Sequence, residues 1–264
     1  MTALAERTSV FARRAERARE LAPRHEFAAE PLRLYAALAE AQASVFDRAA
    51  SDRPRAADLP AYAARVGLPA VMDASMAAGT ETLREAVLLR FHSGDLEAIV
   101  ADWLRGVEQS PTDAFLGRSA AAPILEAVPE IASTLRAGDA DERRCPRCGG
   151  LPQLAVFTDT AEALLTGQRR LVCSRCAGEW TYARMTCASC RETEGGKMPV
   201  LADESRLPHL RADACDTCRS YLVTIDMRKD PRAVPLVDEL VALPLDLAAA
   251  ERGYAKIARN VMGY

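Results

Sequence analysis

Eight cysteines dominate the chemistry this chain can do, and they fall into four Cys-x-x-Cys pairs: Cys145 with Cys148, Cys173 with Cys176, Cys187 with Cys190, and Cys215 with Cys218. Two intervening residues let a tight turn aim both sulfurs at one point while backbone N–H groups face the thiolates. Two such turns brought together by a small β-hairpin close a tetrahedral four-thiolate site. Between Cys148 and Cys173 lie 24 residues, and between Cys190 and Cys215 again 24. One frame therefore occurs twice, which predicts two sites with the first pair joined to the second and the third to the fourth. Four thiolates suit Zn²⁺ or a single iron equally, with a [4Fe–4S] cluster or a crossed ligand arrangement as the alternatives. A site closed by four protein ligands leaves no position for substrate or activated water, so it is structural or electron-carrying rather than hydrolytic. Gly149 follows the first turn, where a left-handed residue helps. Ala177, Arg191 and Arg219 follow the other three, which predicts looser turns there.

The elements around these turns divide the chain. Residues 1–140 contain no cysteine, and their apolar residues recur at three- and four-residue steps: Leu4, Val10, Phe11, Ala15, Ala18 and Leu21, then Leu34, Leu38, Ala41, Val45 and Phe46. Further helices are expected over Leu59–Val66, Thr80–Phe91, Leu96–Val107 and Ala120–Leu135, with breaks at Pro54, Gly67-Leu68-Pro69, Gly94 and Pro111. The pattern changes near Ala137-Gly138-Asp139. Short β-prone runs follow at Leu154–Phe157, Arg170–Val172 and Tyr221–Ile225. Helical patterning returns from Val237, with Pro244 expected to split it. The fold class is α plus small β: a helical domain at 1–140, Cys₄ modules at 141–186 and 187–230, and a helical tail at 231–264.

Charge and composition exclude several functions. The net charge is −3, with no excess of base to hold a polyanion. Between Arg143 and Lys229, 14 Lys and Arg face 10 Asp and Glu. Two Zn–Cys₄ centres at about −2 each cancel that surplus. There is no apolar leader near the start and no run of 18 apolar residues, so a secretory signal and a membrane span are not expected, and the cytoplasm is the expected compartment. Thiols stay reduced there, which disfavours disulfides within the pairs. His25, His92 and His209 lack a companion thiol or acidic constellation and read as surface or packing residues. Trp180, Tyr182 and Tyr221 read as core of the cysteine region. Arg169, Arg170, Arg175 and Arg184 gather around the second pair, either offsetting thiolate charge or forming a docking surface for an acidic partner. Asp238-Glu239 reads as a helix-start pair or a partner contact. No phosphate loop, G-x-S-x-G or H-E-x-x-H motif is present, so no catalytic residue is assigned and an enzyme is not expected.

The run Arg170-Leu171-Val172-Cys173-Ser174-Arg175-Cys176-Ala177-Gly178-Glu179-Trp180, continuing to Arg184-Met185-Thr186-Cys187-Ala188-Ser189-Cys190, resembles the FdhE family of formate dehydrogenase accessory proteins. Cys145-Pro146-Arg147-Cys148-Gly149 and Cys215–Leu222 are similar to that family's first and last pairs. Asp238-Glu239-Leu240, Leu245-Asp246-Leu247, Gly253-Tyr254 and Asn260 resemble its tail, and Arg13-Arg14-Ala15 with Leu21-Ala22 match more weakly. Val223 stands where the family usually has Lys, and Asp238-Glu239 where it usually has Asp-Asp. The resemblance implies tandem rubredoxin-like modules binding iron or zinc. It also implies a chaperone-like assembly factor for the catalytic subunit of a molybdenum or tungsten formate dehydrogenase, with no small-molecule substrate, no nucleic acid and no membrane span. A rubredoxin-like electron carrier and a zinc-ribbon nucleic-acid binder are the alternative readings.

Overall fold

The computed structural model describes residues 2–136, 138, 141–158 and 167–264, with side chains described from Val10 onward. The side chain of Leu4, and Ala137 and Asp139 at the expected boundary, lie outside the described residues. Two compact units emerge: residues up to Leu135 with Val261–Gly263, and Arg136–Asn260 with Tyr264.

The first unit is helical: α1 (Thr2–Leu21), α2 (Ala29–Asp52), α3 (Leu59–Tyr62), α4 (Leu68–Ala78), α5 (Glu81–Ser93), α6 (Leu96–Arg105), α7 (Pro111–Ala127) and α8 (Pro129–Thr134). The apolar stripes of α1 and α2 are buried as expected, and they meet: Phe11 and Phe46 lie with ring centroids 5.5 Å apart. Such a pair contributes about 0.5–1.5 kcal/mol beyond its buried area. Leu32, Leu38, Leu59, Leu68, Leu116, Ile124 and Leu125 complete the core. Arg14, in the weakly matching Arg13-Arg14-Ala15, is buried and holds Glu126 of α7 through two bonds of 3.0 and 2.9 Å. Side-chain caps fix three helix starts, at Thr80, Asp95 and Ser110.

Gly67-Leu68-Pro69, expected to break the chain, does not. A π-turn over Ala63–Gly67 carries α3 into α4, and Pro69 falls in the first turn, where its missing N–H leaves nothing unpaired. Gly67 is required there for closeness, because a Cβ would come within 2.7 Å of Ala120 O on α7. The expected helix at Ala120–Leu135 is instead the end of α7 plus α8, divided at Val128 ahead of Pro129.

The second unit is built on one seven-stranded sheet: β1 (Pro152–Thr158), β2 (Gln168–Cys173), β3 (Glu179–Thr181), β4 (Val200–Ala202), β5 (Leu210–Cys215), β6 (Ser220–Asp226) and the short β7 (Ala255–Lys256). Strand order is β3-β2-β1-β6-β5-β4, with β7 beside β6. Two antiparallel meanders, β1-β2-β3 and β4-β5-β6, are thus spliced by a parallel pairing of β1 with β6, Leu154 opposite Val223 and Val156 opposite Ile225. Both central strands are buried along nearly their whole length. Val223 is 0% exposed, so it lies in the core and not on a contact surface. The tail forms α9 (Pro235–Asp238), a 3₁₀ turn over Glu239–Ala242 and α10 (Leu243–Glu251), with Pro244 in the first turn of α10, and packs on β4, β5 and β6.

Candidate metal centres

Each Cys-x-x-Cys pair forms a knuckle of the same shape. The amide of the residue after the second cysteine bonds back to the carbonyl of the first: Gly149 to Cys145 at 2.9 Å, Ala177 to Cys173 at 3.2 Å, Arg191 to Cys187 at 3.0 Å and Arg219 to Cys215 at 2.9 Å. All four closing residues are left-handed, with φ of 71°, 50°, 69° and 56°. The looser turns expected at Ala177, Arg191 and Arg219 are therefore not found; the knuckle holds alanine and arginine in a conformation that costs about 1–2 kcal/mol without glycine. The amides of Arg175 and Ser189 point at the sulfurs of Cys173 and Cys187, at 3.3 and 3.4 Å.

The knuckles converge in two groups, Cys145, Cys148, Cys173 and Cys176, and Cys187, Cys190, Cys215 and Cys218, with the sulfurs of each group within 4.8 Å of one another. Cys145 to Cys176, Cys187 to Cys218 and Cys190 to Cys215 are each separated by 3.7 Å, and Cys148 to Cys173 by 3.4 Å. All eight are free thiols, too far apart for the roughly 2.05 Å of a disulfide. A tetrahedron with edges of 3.7 Å places its corners about 2.3 Å from its centre, the Zn–S distance. The residues fit a metal ion: two four-cysteine clusters could each hold one, and iron and zinc suit the ligands alike.

The clusters differ in exposure. The four cysteines of the first are at most 2% exposed, whereas Cys187 is 9% exposed and Cys190 and Cys218 are only half-buried. Burial pushes the Cys187 thiol up to about 12. Gly150 belongs to the first cluster because a Cβ there would meet the Cys173 sulfur at 2.8 Å.

The four arginines singled out in the sequence do different things. Arg169 is buried and donates to the carbonyls of Ala183 and Thr186 at 3.2 and 2.7 Å, so it is an internal brace and not part of a docking surface. Burial pushes its guanidinium down from the usual value, partly offset by Asp213 at 4.0 Å. Arg175 donates to Cys148 O at 3.2 Å, beside the first cluster. Arg170 pairs with Glu179 at 3.2 Å, and Arg184 lies over the Phe157 ring and donates to Gly167 O. Trp180, Tyr182 and Tyr221 are buried as expected. Tyr182 also donates to Cys187 O at 3.1 Å, and Arg143 to Ser189 O at 3.0 Å, so residues of the first meander brace the third knuckle.

Asp238 and Glu239 lie in the first turns of α9 and of the 3₁₀ turn after it, as their helix-start reading expects, and both are 0% exposed, which corrects only their reading as a partner contact. Asp238 accepts from Val234 N at 2.7 Å and faces His209 at 3.0 Å, giving that histidine a partner the sequence did not reveal. Glu239 shares Lys256 with Asp246, at 2.8 and 3.2 Å. The one available signal for this buried cluster was rarity: the chain has only three lysines, at 197, 229 and 256, amid abundant arginine.

A helical N-terminal half joined to a small sheet with two closed four-thiolate clusters defines a protein that carries its cysteines in paired knuckles rather than around an open metal. The chain belongs to the FdhE family: the family model "FdhE, N-terminal" matches residues 1–144 and "FdhE, C-terminal domain" matches 185–262. It is 31% identical over 287 residues to "Protein FdhE homolog" of Stutzerimonas stutzeri (strain A1501), covering 96% of this chain and 89% of that protein. The homolog in Pseudomonas aeruginosa is 30% identical with the same coverage. That of Aquifex aeolicus is 38% identical over 120 residues, a match that spans 46% of this chain and 41% of that protein. The crystal structure of the FdhE protein from Pseudomonas aeruginosa has the same fold, with a TM-score of 0.71 at 23% identity over 97% of this chain and 96% of that one. No helix among the described residues is long and apolar enough to cross a membrane.

Proposed function

We propose that this chain is a non-enzymatic, cytoplasmic accessory protein that binds the catalytic subunit of a molybdenum or tungsten formate dehydrogenase during its maturation. The observation that supports this reading is the combination of FdhE-family membership along the chain with two clusters whose four corners are all protein sulfur. Sites of that kind have no open position for a reacting group, so their work is to hold a surface in shape. In this reading modules 141–186 and 187–230 each hold one iron or zinc ion, and Arg170, Arg175 and Arg184 lie on the recognition surface.

The test is co-purification of tagged full-length protein with the formate dehydrogenase catalytic subunit before and after cofactor insertion, with elemental analysis alongside. Retention of the immature subunit, with about two metal ions per chain, is the expected result. Failure to retain it in any form refutes the reading. A rubredoxin-like electron carrier is the second reading, favoured by the half-buried Cys190 and Cys218. It requires iron, with visible absorption that dithionite bleaches reversibly.

A further inference from the structure

A cleft of about 720 Å³ opens between the knuckle at Cys145-Pro146 and the segment around Thr186, Arg191 and Thr193. That size lies within the range of roughly 300–1,000 Å³ typical of binding clefts. Trp180, Thr181 and Tyr182 line it, from β3 and the residue that follows. Among the described residues β3 is the edge of the sheet and pairs only with β2. The bonds Cys173 N to Gly178 O and Tyr182 N to Arg169 O show that residues 178 and 182 aim their backbone groups at β2. By strand alternation Trp180 does the same, while the N–H and C=O of Glu179 and Thr181 face outward. Glu179 and Thr181 are exposed, so their outward backbone donors and acceptors have no strand partner among the described residues beside the cleft.

The charges around the cleft are unevenly matched. Arg143 holds Asp141 through bonds of 2.8 to 3.1 Å. Arg136 and Arg144 donate to backbone, to Pro146 O and Gly149 O, and neither forms an ion pair within 4.0 Å among the described residues, although Asp141 is close enough to feel the charge of Arg144. Arg191 reaches Glu142 at 3.5 Å, with both side chains more than half exposed. Such a pair is weak and exchanges easily for a better-placed acid. Trp180 offers no stacking face to a base: it is 9% exposed, and its indole N–H is bonded to Glu142 O at 3.0 Å.

We propose that this cleft docks an extended acidic segment of a protein partner, which adds as a further strand along β3 and sets its carboxylates against Arg136, Arg144 and Arg191. Backbone pairing supplies affinity, and the arginines supply sign and register. The proposal rests on the accessory-protein reading only for which protein contributes the segment.

The test uses full-length, metal-loaded protein and fluorescein-labelled peptides of alternating Glu and Val, or of alternating Lys and Val, followed by anisotropy. The acidic peptide is expected to bind at least about tenfold tighter than the basic one. Thr181→Pro removes an outward N–H and no ladder bond, so it is expected to keep its metal while weakening the acidic peptide about tenfold. The paired change R136E and R144E is expected to reverse the preference, a gain that misfolding cannot mimic. Equal binding of the two peptides, indifference to Thr181→Pro, or displacement of the acidic peptide by inorganic phosphate at matched concentration overturns the proposal. The formate dehydrogenase subunit separates the two ideas. Undiminished capture by Thr181→Pro defeats the cleft and leaves the accessory reading intact. Peptide binding by a parent protein that captures no subunit supports the cleft and defeats that reading.

Discussion

Lys256 is a buried cation that holds two buried carboxylates. Its Nζ lies 2.8 Å from Glu239 and 3.2 Å from Asp246, and the three side chains are 4%, 0% and 5% exposed. Lys256→Met keeps the apolar stem and deletes the cation, leaving two buried carboxylates with one neutral side-chain donor each: the amide of Gln153 on Glu239, and the Tyr221 hydroxyl on Asp246 at 2.8 Å. Removing one partner of a buried ion pair costs about 3–5 kcal/mol, a large share of a total stability of roughly 5–15 kcal/mol. The loss depends on pH. Burial raises both carboxyls above their ordinary values even with the lysine opposite, and its removal raises them further. A carboxyl whose folded pKa exceeds its unfolded one binds protons more tightly in the folded state. Its stabilisation is fully present below the unfolded value and is lost as pH rises through the folded one. Lys256→Met is therefore expected to lose most stability near pH 8 and less near pH 6. Urea unfolding followed by circular dichroism at both pH values measures this. Adding Glu239→Gln and Asp246→Asn to Lys256→Met is expected to recover most of the loss at either pH. The reasoning fails if the single variant stays within about 1 kcal/mol of the parent at both pH values, or if the triple variant is no more stable than the single.

Four further outcomes follow from the cysteine region. Ala177→Gly relieves a left-handed alanine costing about 1–2 kcal/mol against about 0.5–1 kcal/mol of added unfolded-chain entropy, so its urea midpoint is expected to rise slightly. Arg169→Met leaves the carbonyls of Ala183 and Thr186 without their buried donor, a loss of about 1–3 kcal/mol for each, read in the same unfolding experiment. Metal release to a chelator is expected to be biphasic, and mass spectrometry of alkylated peptides is expected to show Cys190 and Cys218 labelled before the four cysteines of the first cluster. Elemental analysis is expected to find about one metal per chain in Cys190→Ser and fewer than one in Cys148→Ser; equal retention in both contradicts the dependence of the second cluster on the first.

The cysteine frame was legible because thiols at fixed spacing have few physical alternatives, and the equal intervals anticipated which knuckles meet. The runs at Leu154–Phe157 and Tyr221–Ile225 were recognisable as strands, and their mainly apolar character, interrupted only at Thr224, is what a strand covered on both faces requires. Their mutual pairing was not legible, since neither run records which neighbour it will accept. β3 and β4 are three residues each, too short to show a period of two. β5 alternates, but Arg211 and Asp213 between its buried residues keep it from standing out as an apolar run. α4 was hidden because proline ends a helix in one position and begins one in another, and only the turn before Pro69 distinguishes the two. The buried Lys256, Glu239 and Asp246 are separated by 7 and 10 residues with no shared period, so nothing local announces them.

The two clusters share one frame, but their dependence runs one way. Arg143, Arg169 and Tyr182 all belong to the first meander or its approach, and all donate to carbonyls at Thr186, Cys187 and Ser189, the segment that forms the third knuckle. Among the described residues no matching set of donors runs from the second meander to the knuckles at Cys145 or Cys173. The first cluster is closed to solvent by its own arginines and glycines, whereas the second takes part of its support from the first and keeps two sulfurs half-exposed. The splice of β1 onto β6 strengthens this polarity, since β1 begins four residues after Cys148 and runs straight into the middle of the sheet. One cysteine frame used twice thus yields two clusters with different physical properties: an inner one closed to solvent, and an outer one that leans on it and keeps two sulfurs half-exposed.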